Sequence, residues 1–211
     1  MTRTDPTPYR TLAASGDAEL VVERSRFLAY AHPIASLDEA MAHVAELRRE
    51  HYDARHVCYG LRLGRGAQGI DRSNDDGEPA RTGGFPLWQL LDGEEVIDAA
   101  LIVVRYFGGI KLGMGGLARA YRDAGRLALE DAGIVTRYPE TTFALEVPYD
   151  QLAKLEHTLR GLDTVRVAET DYAAAVTLHL AVRSVALGEV RELLGGLLQR
   201  DPTTIGPSDP A

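Results

Sequence analysis

The chain has 211 residues, 45% of them hydrophobic and 26% charged, with a formal net charge of −8 and a single cysteine, Cys58. This is an ordinary globular composition, long enough for two small domains with packed cores. It excludes an internal disulfide and a thiolate metal site, and no apolar run approaches the ~20 residues of a membrane span.

In chain order, the polar opening MTRTDPTPYR lacks the apolar stretch of a secretory signal, which makes the cytoplasm the expected location. The first ~15 residues are expected to fray. The segment 20–34, LVVERSRFLAYAHPI, predicts two strands about the charged turn ERSR. A helix follows over 36–51, with Ser36 and Glu39 as a capping box and Leu37, Met41, Val44 and Leu47 at helical spacing. Residues 55–63 alternate, Val57, Tyr59, Leu61 and Leu63 against His56, Cys58, Gly60 and Arg62. That pattern predicts a half-buried strand with His56 and Cys58 pointing together. Residues 64–84 hold seven glycines or prolines among Asp71, Asn74, Asp75, Asp76 and Glu78, and are expected to form one long irregular loop. A helix restarts at Phe85–Leu91, and Ala99–Phe107, apolar on both faces, predicts a strand in the middle of a covered sheet. Leu117–Asp131 predicts a helix that buries Leu117, Ala120, Tyr121, Ala124, Leu127 and Ala128 and turns Arg119, Arg122 and Arg126 outward, with Gly133 ending it.

Residues 136–140, with Pro139, mark a domain boundary. Beyond it the pattern runs strand 142–147, helix 150–160, strands 165–170 and 174–182, helix 185–199. This βαββα order predicts a small α+β sandwich of the ferredoxin-like kind. The expected organisation is therefore a first domain over 1–137, a second over 140–202, and a disordered tail over 203–211.

Two segments are candidates for chemistry. In 105–119, RYFGGIKLGMGGLAR, the glycines Gly108, Gly109, Gly113, Gly115 and Gly116 lie between a buried strand and a helix start. Such a segment suits an anion, because free N–H groups and the helix end meet where no side chain blocks approach. Arg105, Lys111, Arg119 and Arg122 add cations, and Lys111 is one of two lysines beside 21 arginines. Residues 105–126 hold five cations against one carboxylate, Asp123, a local +4 that leaves −12 on the rest of the chain. A P-loop is excluded because Leu112, not Ser or Thr, follows Lys111. A dinucleotide fingerprint over Gly113, Gly115 and Ala118 fits poorly, since 108–112 separate it from the strand. A tight crossover that simply needs glycine is the plainer alternative. Arg119 with Asp123 and Arg126 with Glu130 have the spacing of helical ion pairs, and Arg122 has no acidic residue in reach.

The second segment, 74–86, NDDGEPARTGGFP, offers Asp75, Asp76 and Glu78 near His56 as acid/base groups or cation ligands. Its plainer reading is a rigid turn, since Asp-Gly and Glu-Pro are turn dipeptides. No nucleophile elbow, HExxH or CxxC occurs, and no cofactor or resident metal is implied.

Taken together, Ser25–Phe27, Ala54–Cys58 (ARHVC), Asp75–Pro86 and Val104–Tyr121 (VRYFGGIKLGMGGLARAY) resemble the signature of the IMPACT/YigZ family over about 24–133. Arg81 stands where that family has glycine and Gly83 where it has alanine, so Arg81 adds charge and stiffness to the acidic loop. The resemblance implies an α+β protein of two α/β sandwich domains. The first would be like a ribosomal protein and the fourth domain of elongation factor G. The second would be ferredoxin-like, similar to the last domain of that factor. Eukaryotic members are translational regulators of the amino-acid-starvation response that act by protein competition. They carry an additional N-terminal domain for which this chain leaves no room. The expected function is thus a non-catalytic, translation- or stress-related regulator that binds RNA, the ribosome or a ribosome-associated protein through the basic glycine segment. The alternatives are an enzyme acting on a phosphorylated metabolite through His56, Asp75, Asp76 and Glu78, or binding by the C-terminal domain.

Overall fold

The structure is a computed structural model that describes residues 7–66 and 69–207. Contacts divide the chain into one unit over Tyr9–Arg137 and another formed mainly from Tyr138 onward.

The first unit is built on five antiparallel strands. They are β2 (Gly16–Val22), β3 (Ser25–Pro33), β4 (His56–Leu63), β5 (Ile70–Asn74) and β6 (Ala99–Tyr106), in the order β2-β3-β6-β4-β5. Helix α1 (Leu37–Glu50) covers one face; α2 (Gly84–Gly93) and α3 (Gly113–Ala132) cover the other. The order explains β6: as the central strand it buries Leu101 and Val103 under α2 and α3, and Ala100, Ile102 and Val104 under α1. Its neighbour β4 is covered on both faces as well, with Val57, Cys58, Gly60 and Leu61 all buried, so the half-buried expectation is corrected by α2, which packs on the Cys58 and Gly60 side.

Three other expectations change. The opening does not fray throughout: β1 (Tyr9–Leu12) pairs antiparallel with β7 (Ile134–Arg137), while residues 1–6 lie outside the described ones. The loop 64–84 is broken by β5, an edge strand whose polar residues mask its pairing to β4. Helix α3 starts at Gly113, four residues before the expected Leu117, so Gly115 and Gly116 belong to its first turn.

Local chemistry accounts for the boundaries. At Ser36 the hydroxyl accepts the Glu39 amide at 3.1 Å, and the Glu39 carboxylate accepts the Ala35 amide at 2.6 Å, one residue before the usual partner. Strands β2 and β3 are joined by Glu23 and Arg24, both left-handed (φ 46° and 65°), the conformation a two-residue hairpin turn demands.

The second unit runs β8 (Glu140–Val147), α4 (Tyr149–Arg160), β9 (Val165–Tyr172), β10 (Val176–Arg183) and α5 (Leu187–Leu198). Strand β10 lies antiparallel between β8 and β9. This is the split βαβ arrangement of ferredoxin-like folds. The chain after α5 is not a free tail at its start, since Ile205 is 2% exposed within the unit's core; the expected disorder at 208–211 lies outside the described residues.

Ser36→Ala is expected to cost about 1 kcal/mol, the usual worth of an N-cap. Urea unfolding checks this as a lower midpoint at unchanged slope.

Candidate functional site

The register across the sheet builds the site. His56 on β4 lies opposite Arg105 on β6, which lies opposite Phe27 on β3. All three share the face under α3, because Arg105 has the parity of Leu101 and Val103. Arg105 is a charged residue 7% exposed at the end of an apolar strand. Its Nη1 donates to Glu78 Oε1 at 2.6 Å, and its guanidinium lies 5.5 Å and 5.6 Å from the ring centres of Phe27 and Phe107. The same Glu78 oxygen accepts the Tyr121 hydroxyl of α3 at 2.9 Å, while its second oxygen faces His56 Nε2 at 4.0 Å. His56 Nδ1 is 2.8 Å from the Asp76 carbonyl, which only accepts, so Nδ1 carries the proton. Tyr121 in turn packs edge-on against Phe27, centroids 5.2 Å apart.

Above this row lies a cavity of about 350 Å3. Its lining includes His56, Glu78, Arg105, Lys111 and Gly113, so the two candidate segments meet in one place. Arg55 stands at its edge, and Phe107, Leu112, Met114 and Leu117 give it an apolar side.

Asp75 and Asp76 do not line this cavity, because their carboxylates are engaged in holding the loop. Asp75 accepts the amides of Arg81, Gly83 and Gly84 at 2.7, 2.9 and 2.9 Å, capping the start of α2 from outside the helix. Asp76 accepts the Val57 amide at 2.7 Å and pairs with Arg48 at 2.8 Å. Local sequence carries the turn dipeptides but not these long-range partners. Among the described residues no group of three or more His, Cys, Asp or Glu side chains is placed to hold a metal ion.

The departures from the family pattern have structural counterparts. Arg81 is left-handed, φ 63°, which is a conformation glycine takes without strain. Its guanidinium lies 3.7 Å from the Phe85 ring centre, a contact that glycine lacks. At Gly83 a Cβ would come within 2.5 Å of Cys58 Sγ.

The glycines of the basic segment have separate roles. Gly108 presses on the β2–β3 turn, where a Cβ would lie 2.0 Å from the Arg24 carbonyl carbon, and its amide donates to the buried Ser25 hydroxyl at 3.1 Å. Gly109 and Gly113 have positive φ, 90° and 69°; Gly115 has open space around it, and Gly116 lies against Leu112. Lys111, Arg119, Arg122 and Arg126 are exposed. Arg126 pairs with Glu130, whereas the expected Arg119–Asp123 pair does not form among the described residues, leaving Arg119 and Arg122 both available on the outer side of α3. What sequence reasoning missed is Tyr121 as a polar partner: its place in the apolar stripe hid the hydroxyl bonded to Glu78.

Cys58 is inert by the same logic. Burial pushes its thiol up to about 12, and its sulfur sits 3.1 Å from the Asp75 carbonyl and 3.3 Å from the Tyr121 hydroxyl.

The fold and site define a two-unit α+β protein with a cation-lined cavity where its central strand crosses into a helix. The chain belongs to the IMPACT family: models described as the Impact N-terminal domain and as a domain of unknown function, DUF1949, match residues 23–129 and 145–198. IMPACT family member YvyE of Bacillus subtilis is 36% identical over 152 residues, which cover 72% of this chain and 70% of that protein. IMPACT family member YigZ of Escherichia coli is 36% identical over 170 residues, 80% of this chain and 82% of that protein. A crystal structure described as that of a hypothetical protein is 32% identical, with a TM-score of 0.62, covering 91% of this chain and 93% of that one.

Asp75→Ala removes the acceptor of three amides and is expected to cost about 2–3 kcal/mol in urea unfolding. At pH 8 the native Cys58 thiol is expected to resist disulfide-exchange reagents that label it rapidly in guanidinium. Because its folded value is raised to about 12, its contribution to stability is full below the unfolded value near 9 and is lost as pH rises from there toward 12. Unfolding curves of wild type and Cys58→Ser over that range check the sign.

Proposed function

We propose that this chain is a non-catalytic regulator of translation that binds RNA, free or in the ribosome, through the face around the start of α3. The observation that carries the reading is the composition of that face. Phe107, Ile110 and Met114 are exposed large apolar side chains, 49%, 41% and 62%; Phe107 and Met114 line the cavity with Lys111, and the exposed Arg119 and Arg122 follow along α3. Interleaved cations and ring-bearing or soft apolar side chains suit single-stranded RNA, where phosphates meet the cations and unstacked bases meet the apolar surface. On a chain of net −8 such a face directs an anionic partner to one place. The second unit is the weaker candidate, with six Lys or Arg against eleven Asp or Glu from residue 138 onward.

The hydrolytic alternative has less support. It needs free carboxylates, and those of Asp75 and Asp76 are held by amides while Glu78 is shared between Arg105 and Tyr121. No helix among the described residues is long and apolar enough to cross a membrane. Membership of the IMPACT family is consistent with a regulator and does not name its partner.

Lys111→Ala with Arg122→Ala is expected to weaken retention of ribosomes or a single-stranded RNA. It should also lower the log–log salt slope by about 1.4, two contacts at about 0.7 each. Equal retention by wild type and double variant across a salt titration overturns the reading.

A further inference from the structure

We infer that the cavity beneath this face is a binding site for a phosphomonoester carried on a ring-bearing body, that is, a 5′-nucleotide. This inference goes beyond RNA binding by the outer face, because it names a ligand for the interior that a free nucleotide or the 5′-phosphate end of an RNA would equally supply.

Four observations converge on the phosphate. First, the backbone at the mouth has an anion-cradling shape. Leu112 is right-handed (φ −81°, ψ −15°) and Gly113 left-handed (φ 69°). That succession turns consecutive amides toward one point, the nest geometry of phosphate-binding loops. Leu112, Gly113 and Met114 all line the cavity. Second, the same residues open a helix of 20 residues with no side-chain cap and no acidic residue in its first turn, so the positive end of α3 is uncompensated. Third, Arg105 lines the cavity with its side chain only 8% exposed. Its Nη1 is spent on Glu78, and its Nη2 makes no hydrogen bond among the described residues. A buried guanidinium left with unmet donors calls for a further acceptor. Fourth, the cations Arg55, Arg105 and Lys111 against Glu78 give the lining a formal charge of +2 without counting His56, the complement of a phosphomonoester dianion.

The rest of the lining fits the body of such a ligand. Phe107 and Met114, 49% and 62% exposed, line the cavity and offer a ring a flat aromatic face and a polarizable sulfur. About 350 Å3 lies at the lower end of small-ligand sites, room for one nucleotide unit rather than a folded strand. His56 also lines the cavity, and with its Nδ1 proton held by the Asp76 carbonyl its Nε2 is an acceptor suited to a ribose hydroxyl and not to the phosphate.

The test is calorimetric titration of the full chain with inorganic phosphate, adenosine, adenosine 5′-monophosphate, and a short oligoadenylate with either a 5′-phosphate or a 5′-hydroxyl. The nucleotide should bind at least tenfold more tightly than adenosine, or the 5′-phosphorylated RNA at least tenfold more tightly than its hydroxyl twin; which of the two occurs identifies the source. Lys111→Ala, an exposed change that leaves the buried row intact, should erase the tenfold preference, and Arg126→Ala, whose side chain is paired to Glu130, should retain it. Indifference to the phosphate in both pairs of ligands overturns the inference. In that case salt-dependent RNA retention sensitive to Arg122 would still uphold the outer-face reading. Conversely, nucleotide binding without any RNA retention would uphold the cavity and remove the RNA reading.

Discussion

A carboxylate and a guanidinium buried under a helix are costly to take out of water, and the Glu78–Arg105 pair does this at the end of the first unit's central strand. Leaving either charge alone there would cost about 3–5 kcal/mol, so each fixes the position of the other. Around them the neighbours fall into place. Tyr121 ties α3 to Glu78, Phe27 and Phe107 flank the guanidinium, and His56 faces the second carboxylate oxygen. The pair therefore joins the acidic loop, the central strand and the long helix into one rigid floor. Its worth is positional more than energetic, since an apolar replacement of equal volume is often no less stable.

The acidic loop illustrates how residue types associated with catalysis serve as scaffold. Asp75 takes three backbone amides and Asp76 takes one, with Arg48 as counterion, so the loop is braced by its own carboxylates. This is the ordinary solution to a chain that turns inward and leaves amides unpaired. Glu78, two residues on, is aimed at Arg105 by that bracing. The left-handed Arg81 shows what the loop demands of its backbone, and the stacked Phe85 ring offsets part of the strain.

Charge is distributed to match. The sheet face is sealed by apolar packing, and the cations near the site are Arg105 inside, Arg55 and Lys111 at the rim, and Arg119 and Arg122 on the outer side of α3. Burial separates their work. Arg105 is held by one carboxylate and two rings, whereas the exposed cations lie in solvent and are screened by salt.

Much of this was legible in the chain itself. The capping box at Ser36, the doubly apolar run 99–104, the βαββα order after Pro139 and the glycines before a helix are local patterns, set by spacing that survives without tertiary context. So is the local +4 around Lys111. Other features depend on distant residues. The β5 edge strand is polar and stands out only by pairing with β4. The start of α3 at Gly113 runs against glycine's low helix propensity. The fates of Asp75, Asp76 and Glu78 are decided by amides, two arginines and a tyrosine up to 43 positions away. Sequence by itself determined most of the elements, the family signature and which residue types crowd together. Only the tertiary structure decided which carboxylates are scaffold and that His56 and Arg105 face each other, because strand register, not spacing along the chain, sets those distances.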